Sequence, residues 1–444
     1  MATDILSKII DIYPKMIKAK IGIHYNQKIF MKLPIKMSDR LDISEILFLL
    51  AICMKQFYLW KSGVPQVGDI LFIISFFTYA VRNGVSVEKI DYSFIIFLYM
   101  IASINLIYSF FYSEYSFDVS TLYWLYNFLI IILFRRLLYS DLFVHYIIKA
   151  LKLNLIIQLF VNFSGMSRMY GARYKGTFND PNQFAFFVIS CFFLLFLLSK
   201  YDNSSVNVIW YLITGYMIIK SASMGMLGAF IIFLTCMIIM KLGAGKSAII
   251  KRTLVVLAVI LFIIGLIMGI HDIILKFDEI AVTRNWFSLQ RIMEKVHRFK
   301  VFGGKDSAIF AFFNDRASTR LIREPIYYLY GCGEGYTERF VYDNGSEIHC
   351  TMLAVCYYYG IIPYFFFLRW IYKNIHKIQR MAIPVYIAII IEAFTLANHR
   401  QPFFWMMFVL GGLLKRDDTK QIANSFSMRI RSTTKNDQKD FADC

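Results

Sequence analysis

Between residues 45 and 414 the chain passes through twelve stretches nearly empty of charge, and that feature fixes the solvent it must fold in. They lie at 45–60, 69–81, 92–112, 119–134, 142–163, 183–199, 206–219, 223–240, 253–270, 349–372, 382–397 and 402–414. In lipid every backbone N–H and C=O must be bonded inside its own segment, so helices are the expected form. Several stretches fall short of the ~20 residues that a perpendicular helix needs, and are expected to extend into flanking polar residues or to lie beside a cavity. Apolar residues make up 58% of the 444, more than a soluble fold can keep from water. The expected class is an all-α integral membrane protein of about 12 transmembrane helices.

The net charge of +18 raises the question of a nucleic-acid partner, but a nucleic-acid binder gathers its cations on one face or domain. Here they fall between the apolar runs and at the two ends, as in loops facing an anionic inner leaflet. Counting inward from a cytoplasmic N-terminus, segments 1–43, 82–91, 135–141, 200–205, 241–252, 373–381 and 415–444 are inner, with 27 Lys and Arg against 13 Asp and Glu. Arg135-Arg136 and Lys251-Arg252 are the sharpest markers. The expected organisation is a basic cytoplasmic segment 1–43, helices one to nine over 44–270, a long periplasmic loop 271–348, helices ten to twelve over 349–414, and a cytoplasmic tail 415–444. Residues 1–43, polar and basic, do not read as a signal peptide.

The 271–348 loop is expected to hold two helices. Near 281–300, Val282, Trp286, Leu289, Met293 and Val296 make one apolar stripe, suited to the membrane surface or to packing within the loop. Near 314–324, capped by Asn314 or Asp315 and stopped by Pro325, residues Arg316, Arg320 and Arg323 share a face. Beside Asp315 at its start, one acid, Glu324, ends this helix against three arginines, which favours anion binding over a solvated charged face. Seven cysteines are scattered without a CxxC pair. Cys53, Cys191, Cys236 and Cys356 read as apolar packers, and a Cys332–Cys350 disulfide is open on spacing alone.

The segment 167–184 contains Arg173-x-x-Gly176-x-Phe178-x-Asp180-Pro181-Asn182. Gly176 permits a tight turn, Pro181 suits the first turn of the helix that follows, and Asp180 or Asn182 can cap it. This core resembles the signature of the O-antigen polymerase and O-antigen ligase family. Three further matches follow in order: Ser318-Thr319-Arg320 with Tyr330-Gly331-Cys332-Gly333, His349 followed by Gly360, and Asn398-His399-Arg400-Gln401-Pro402-Phe403-Phe404-Trp405. The resemblance covers roughly residues 160–414. The chain departs from it where Met224 occupies an arginine position in the turn Ser221-Ala222-Ser223-Met224-Gly225, with Lys220 as a nearby cation. A second departure is Cys350, which stands where Asn is common.

The resemblance implies transfer of a glycan from a polyprenyl (undecaprenyl) diphosphate carrier to an acceptor hydroxyl at the periplasmic face of a bacterial inner membrane, with no cofactor. The leaving diphosphate gains charge in the transition state, so fixed arginines there accelerate the step. Arg173 and Arg320 are the first candidates, with Arg316, Arg323, Arg168, Lys175, Lys220 and Arg400 as further contacts. His349 is the first candidate for the base on the acceptor, and Glu347 and His399 are alternatives. Glu392, seven residues before His399 and read as sharing its helical face, is expected to line the acceptor path. There is no DxD, HExxH or paired Cys and His set, and metal-independent transfer is the simplest reading. The polymerase branch, with a chain-length regulator as a candidate partner, is favoured by the closing aromatic turn. A ligase delivering the finished glycan to lipid core is the alternative within the family. A lipid-linked sugar flippase is the alternative from another class, suggested by Lys149 and Lys152 in the fifth span.

Overall fold

The computed structural model describes residues 40–61, 63–166, 168–170, 173–202, 204–241, 320–340 and 347–414. The 253–270 span, the 281–300 stripe, Arg316 and nearly all of the 1–43 and 415–444 segments lie outside the described residues. Among the described residues the first eight helices are α1 (Ile43–Met54), α2 (Val67–Asn83), α3 (Tyr92–Tyr112), α4 (Ser116–Leu137), α5 (Asp141–Phe163), α6 (Pro181–Tyr201), α7 (Val208–Ser221) and α8 (Met224–Lys241). A hairpin of β1 (Arg168–Tyr170) and β2 (Arg173–Gly176) joins α5 to α6. Two short helices follow, α9 (Arg320–Arg323) and α10 (Tyr327–Tyr330), then α11 (Thr351–Tyr359), α12 (Ile361–Ile375), α13 (Ile383–Glu392) and α14 (Pro402–Leu413).

Five described helices are long and apolar enough to cross a membrane: α3 with the turn before it, α4, α5, α6 and α8. By length and composition this is a mostly helical membrane protein. Within α6, 89% of the spanning window is buried, because α5, α7, α8 and α14 surround it. Where α3, α4, α12 and α14 meet, Phe94, Phe97, Trp124, Trp370 and Trp405 pack edge to face or tilted, as in Phe97–Trp124 at 5.0 Å and Phe94–Trp370 at 5.1 Å. Lipid supplies no hydrophobic drive between helices, so such close aromatic packing and buried polar bonds must hold them together.

Helix starts follow local chemistry. The Asp180 carboxylate accepts from the N–H groups of Asn182 (2.7 Å) and Gln183 (3.3 Å), with Pro181 in the first turn. Gly176 has φ +55°, and a Cβ there would stand 2.5 Å from Gln158 Oε1, so both the turn and the close approach require glycine.

Three span boundaries are corrected. The run 45–60 is helical only to Met54, after which Gln56 turns back to bond Cys53 O and Asn154. The run 349–372 is two helices broken at Gly360 (φ +79°), where the Leu329 carbonyl and Gly331 amide approach too closely for a side chain. The run 382–397 leaves the helix at Glu392, as Thr395 and Leu396 donate back to the Glu392 carbonyl. Glu392 and His399 therefore do not share a helical face.

The connections from α1 to α8 alternate between the two ends of the bundle. At one end Tyr58 N–H bonds Thr177 O, Tyr108 OH bonds Gly331 O, and Asn127 bonds His399 O. At the other end Tyr201 OH bonds Leu138 O and Tyr139 OH bonds Glu88. Arg135, read from sequence as a leaflet-facing cation, is instead buried, with Nε and Nη2 on Asp91 (3.1 and 2.9 Å) and Nη2 also on Asn374 (3.1 Å). A charge at that depth persists only when paired.

Candidate functional site

The glycine-rich turn after α10 delivers a carboxylate into the bundle. Glu334 lies between Gly333 (φ +73°) and Gly335, where a Cβ would stand 2.7 Å from Phe117 N, so the backbone packs directly on the start of α4. Glu334 is 2% exposed, and its own N–H donates to Asn105 of α3 at 2.9 Å.

Its two oxygens collect five donors. Oε1 accepts from Arg400 Nη2 (2.8 Å) and Nε (3.1 Å) and faces His399 Nε2 at 2.8 Å. Oε2 accepts from Trp124 Nε1 (2.9 Å) and Tyr359 OH (2.6 Å). Burial alone would push this carboxyl up. His399 and Arg400, with hydrogen bonds from His399 and Tyr359, outweigh it and hold the group well below the usual carboxylate range. Glu334 is therefore an anion, and Glu334 and Glu347 hold Arg400 more firmly protonated against the cost of its own burial.

A carboxylate can only accept, so His399 Nε2 must carry the proton of that bond. In the neutral ring this leaves Nδ1 as the lone-pair nitrogen. Nδ1 is buried and makes no hydrogen bond among the described residues. The imidazole stacks on Trp124 with centroids 5.2 Å apart and planes at 16°. The turn itself is held by the His399 carbonyl, which accepts from Asn127 (3.3 Å) and Trp405 Nε1 (2.7 Å). This arrangement can orient a base, stabilise its protonated form, and present the cation Arg400 beside it.

The expected site residues divide among this cluster and its surroundings. His399, Arg400 and Glu347 come together, with Arg400 Nη1 on Glu347 at 2.8 Å. His349 is exposed on the connection before α11 and makes no hydrogen bond among the described residues. Glu392 is buried elsewhere on the same turn and bonded by the Asn398 side chain. Arg173 spends its guanidinium on Ser221 O (3.0 Å) and Asn182 Oδ1 (2.8 Å), tying the hairpin to the turn after α7. Lys175 bonds Asn179 O, Arg168 is exposed, and Lys220 lies over Tyr216. Arg320 is fully buried with its guanidinium 4.4 Å from the Phe340 ring centre, while Arg323 is exposed. Their helix ends before Pro325, as expected, but only Arg320–Arg323 falls within the described residues. Cys332 and Cys350 are both buried free thiols, so no disulfide joins them.

Glu334 was missed by the sequence reading, as were Trp124 and Tyr359. The available signal was a lone acid bracketed by glycines, Gly333-Glu334-Gly335, in a chain poor in acids. The aromatic donors gave none, being indistinguishable from lipid-facing aromatics.

The low carboxyl pKa makes a pH prediction. A group whose folded pKa lies below its unfolded value contributes stability fully above the unfolded value, ~4.3 for Glu. That contribution is lost as pH falls through the folded value. The melting-temperature gap between the wild type and Glu334→Gln in detergent is therefore expected to be constant above about pH 5 and to narrow below about pH 4. A gap that is flat across acid pH would contradict the assignment.

Compared with known protein families and with curated proteins, the chain matches none.

Proposed function

We propose that the protein is a polysaccharide polymerase of O-antigen type in a bacterial inner membrane. It extends a glycan by transfer from a polyprenyl diphosphate carrier to a hydroxyl of another carrier-linked repeat unit. The observation that carries this reading is the His399–Glu334 pair with Arg400 beside it, at the end of an apolar bundle. Added to the four sequence motifs, it supplies a base next to cations without any nucleotide-binding loop.

In this scheme the acceptor O–H gives its proton to His399 Nδ1 as its oxygen attacks the anomeric carbon. The bond from that carbon to phosphate breaks, and the electron pair leaves with the polyprenyl diphosphate. Glu334 stabilises the imidazolium that forms. Arg320, whose guanidinium shares the Phe340 ring with Arg339 (4.4 and 4.8 Å), is the proposed fixed charge for the leaving group. Replacing it by Lys keeps charge but loses the planar fork that grips two oxygens. Arg320→Lys is expected to cut elongation severely at unchanged protein level, and normal ladders would remove it from the scheme.

Purified protein given carrier-linked repeat units should build a ladder. Transfer only after lipid core is added would make it the ligase instead, and no transfer in either case would end the proposal. For orientation, both termini and the 241–252 loop are placed in the cytoplasm and 271–348 outside. Reporter fusions at residues 247 and 310 are expected to report opposite compartments, and the same compartment for both would overturn this topology.

A further inference from the structure

The segment that carries His399 is not helical. Residues 393–401 join α13 to α14, and backbone groups buried there need partners outside a helix. The start of α11 supplies them. Thr351 N–H donates to Leu396 O (3.1 Å) and Met352 N–H to Ala393 O (3.3 Å), so the helix start and the turn satisfy each other's open backbone groups.

The Thr351 side chain, fully buried, closes this joint. Its hydroxyl donates to Leu396 O at 2.9 Å and accepts the Asn398 N–H at 2.7 Å, so one oxygen serves both as donor and as acceptor. Asn398, itself buried, is tied by its side chain to Glu392 at the end of α13. His399 is the next residue. On its far side its carbonyl is held by Asn127 (3.3 Å) and Trp405 (2.7 Å). The histidine thus sits between two anchors, one set by α4 and α14 and the other by Thr351.

From this geometry we infer that Thr351 is a positioning residue for His399. Its hydroxyl fixes the backbone just before the histidine, and through it the seat of the imidazole between Glu334 and Trp124. Those two engage the ring itself, but both reach it from other elements, so a shift of the turn moves the ring against them. A hydroxyl is what the place requires: without it the buried Asn398 N–H loses its acceptor. Thr351 takes no part in the proton transfer and acts only through the histidine. The motif that opens with His349 then serves the base through a residue two positions past its own histidine. The effect on elongation rests on the transferase reading; the hold on the ring does not.

The test compares Thr351→Val, which keeps the shape and loses both bonds, with Thr351→Ser, which keeps the hydroxyl. Both are made in the full chain in lipid nanodiscs, with Thr351→Ala in place of Thr351→Val if the latter does not fold. One readout is NMR of the histidine ring nitrogens, the His399 signals being identified by their loss in His399→Ala. The other is elongation of carrier-linked repeat units, resolved into kcat and KM and normalised to folded protein. Thr351→Val is expected to displace the His399 ring signals. It is also expected to cut kcat about 10–100-fold, the scale of a ~1 Å misplacement, with KM held within ~2-fold. Thr351→Ser is expected to recover both. Ring signals unchanged in Thr351→Val, or displaced as far in Thr351→Ser, would overturn the positioning role. So would a loss confined to KM, or elongation by Thr351→Val at the wild-type rate. If the ring signals respond as expected but not even the wild type elongates, the transferase reading fails and the hold of Thr351 on His399 stands.

Discussion

Replacing Glu334 by Gln is expected to abolish glycan elongation and to destabilise the protein by about 3–5 kcal/mol, the cost of breaking a buried ion pair from one side. The substitution keeps volume, so the loss is electrostatic. Five donors converge on the carboxylate, and an amide can turn its single oxygen toward only one set. Its NH2 group then faces either Arg400 and His399 or Trp124 and Tyr359. Arg400 keeps Glu347 at 2.8 Å, so the cation survives but loses its buried anchor. Thermal unfolding in detergent gives the first quantity, and repeat-unit ladders normalised to protein level give the second. A Gln variant with wild-type ladders and stability within ~1 kcal/mol would show the carboxylate to be incidental.

His399→Ala is expected to lower elongation by about 10²–10⁴-fold, the usual worth of general-base catalysis, while carrier-linked donor still binds. The turn should survive the change, because Asn127 and Trp405 hold the His399 carbonyl and not its ring. Cells would then accumulate single repeat units in place of a ladder. His349→Ala, at an exposed position, is expected to leave ladders near normal. The opposite pair of results, loss with His349→Ala and retention with His399→Ala, would return the base to His349 and leave the Glu334 pair a structural device. Loss of donor binding in His399→Ala would show that the ring acts on the donor and not on the acceptor.

What the sequence determined by itself is whatever depends on near neighbours in the chain. Apolar runs give helices because lipid leaves the backbone no other partner, and most of the expected runs in the described residues begin within a few residues of an observed helix. The Asp180–Pro181 helix entry, the Gly176 turn and the stop before Pro325 were legible for the same reason.

Tertiary structure decided everything that depends on residues far apart. Glu334 meets Trp124 across 210 positions, Tyr359 across 25 and His399 across 65, and no periodicity encodes such a meeting. Arg135 reads like any inner-face cation until Asp91 and Asn374 close on it from other helices. The helix end at Gly360, inside an apolar run, was set by packing of distant backbone, the Leu329 carbonyl and the Gly331 amide. Hydropathy is blind to that because Tyr359 and Ile361 on the two sides of the break belong to one apolar run. Charge in a sequence says only that a partner is needed, and the fold chooses it: His399 over His349 for Glu334, and the Ser221 carbonyl and Asn182 for the Arg173 fork.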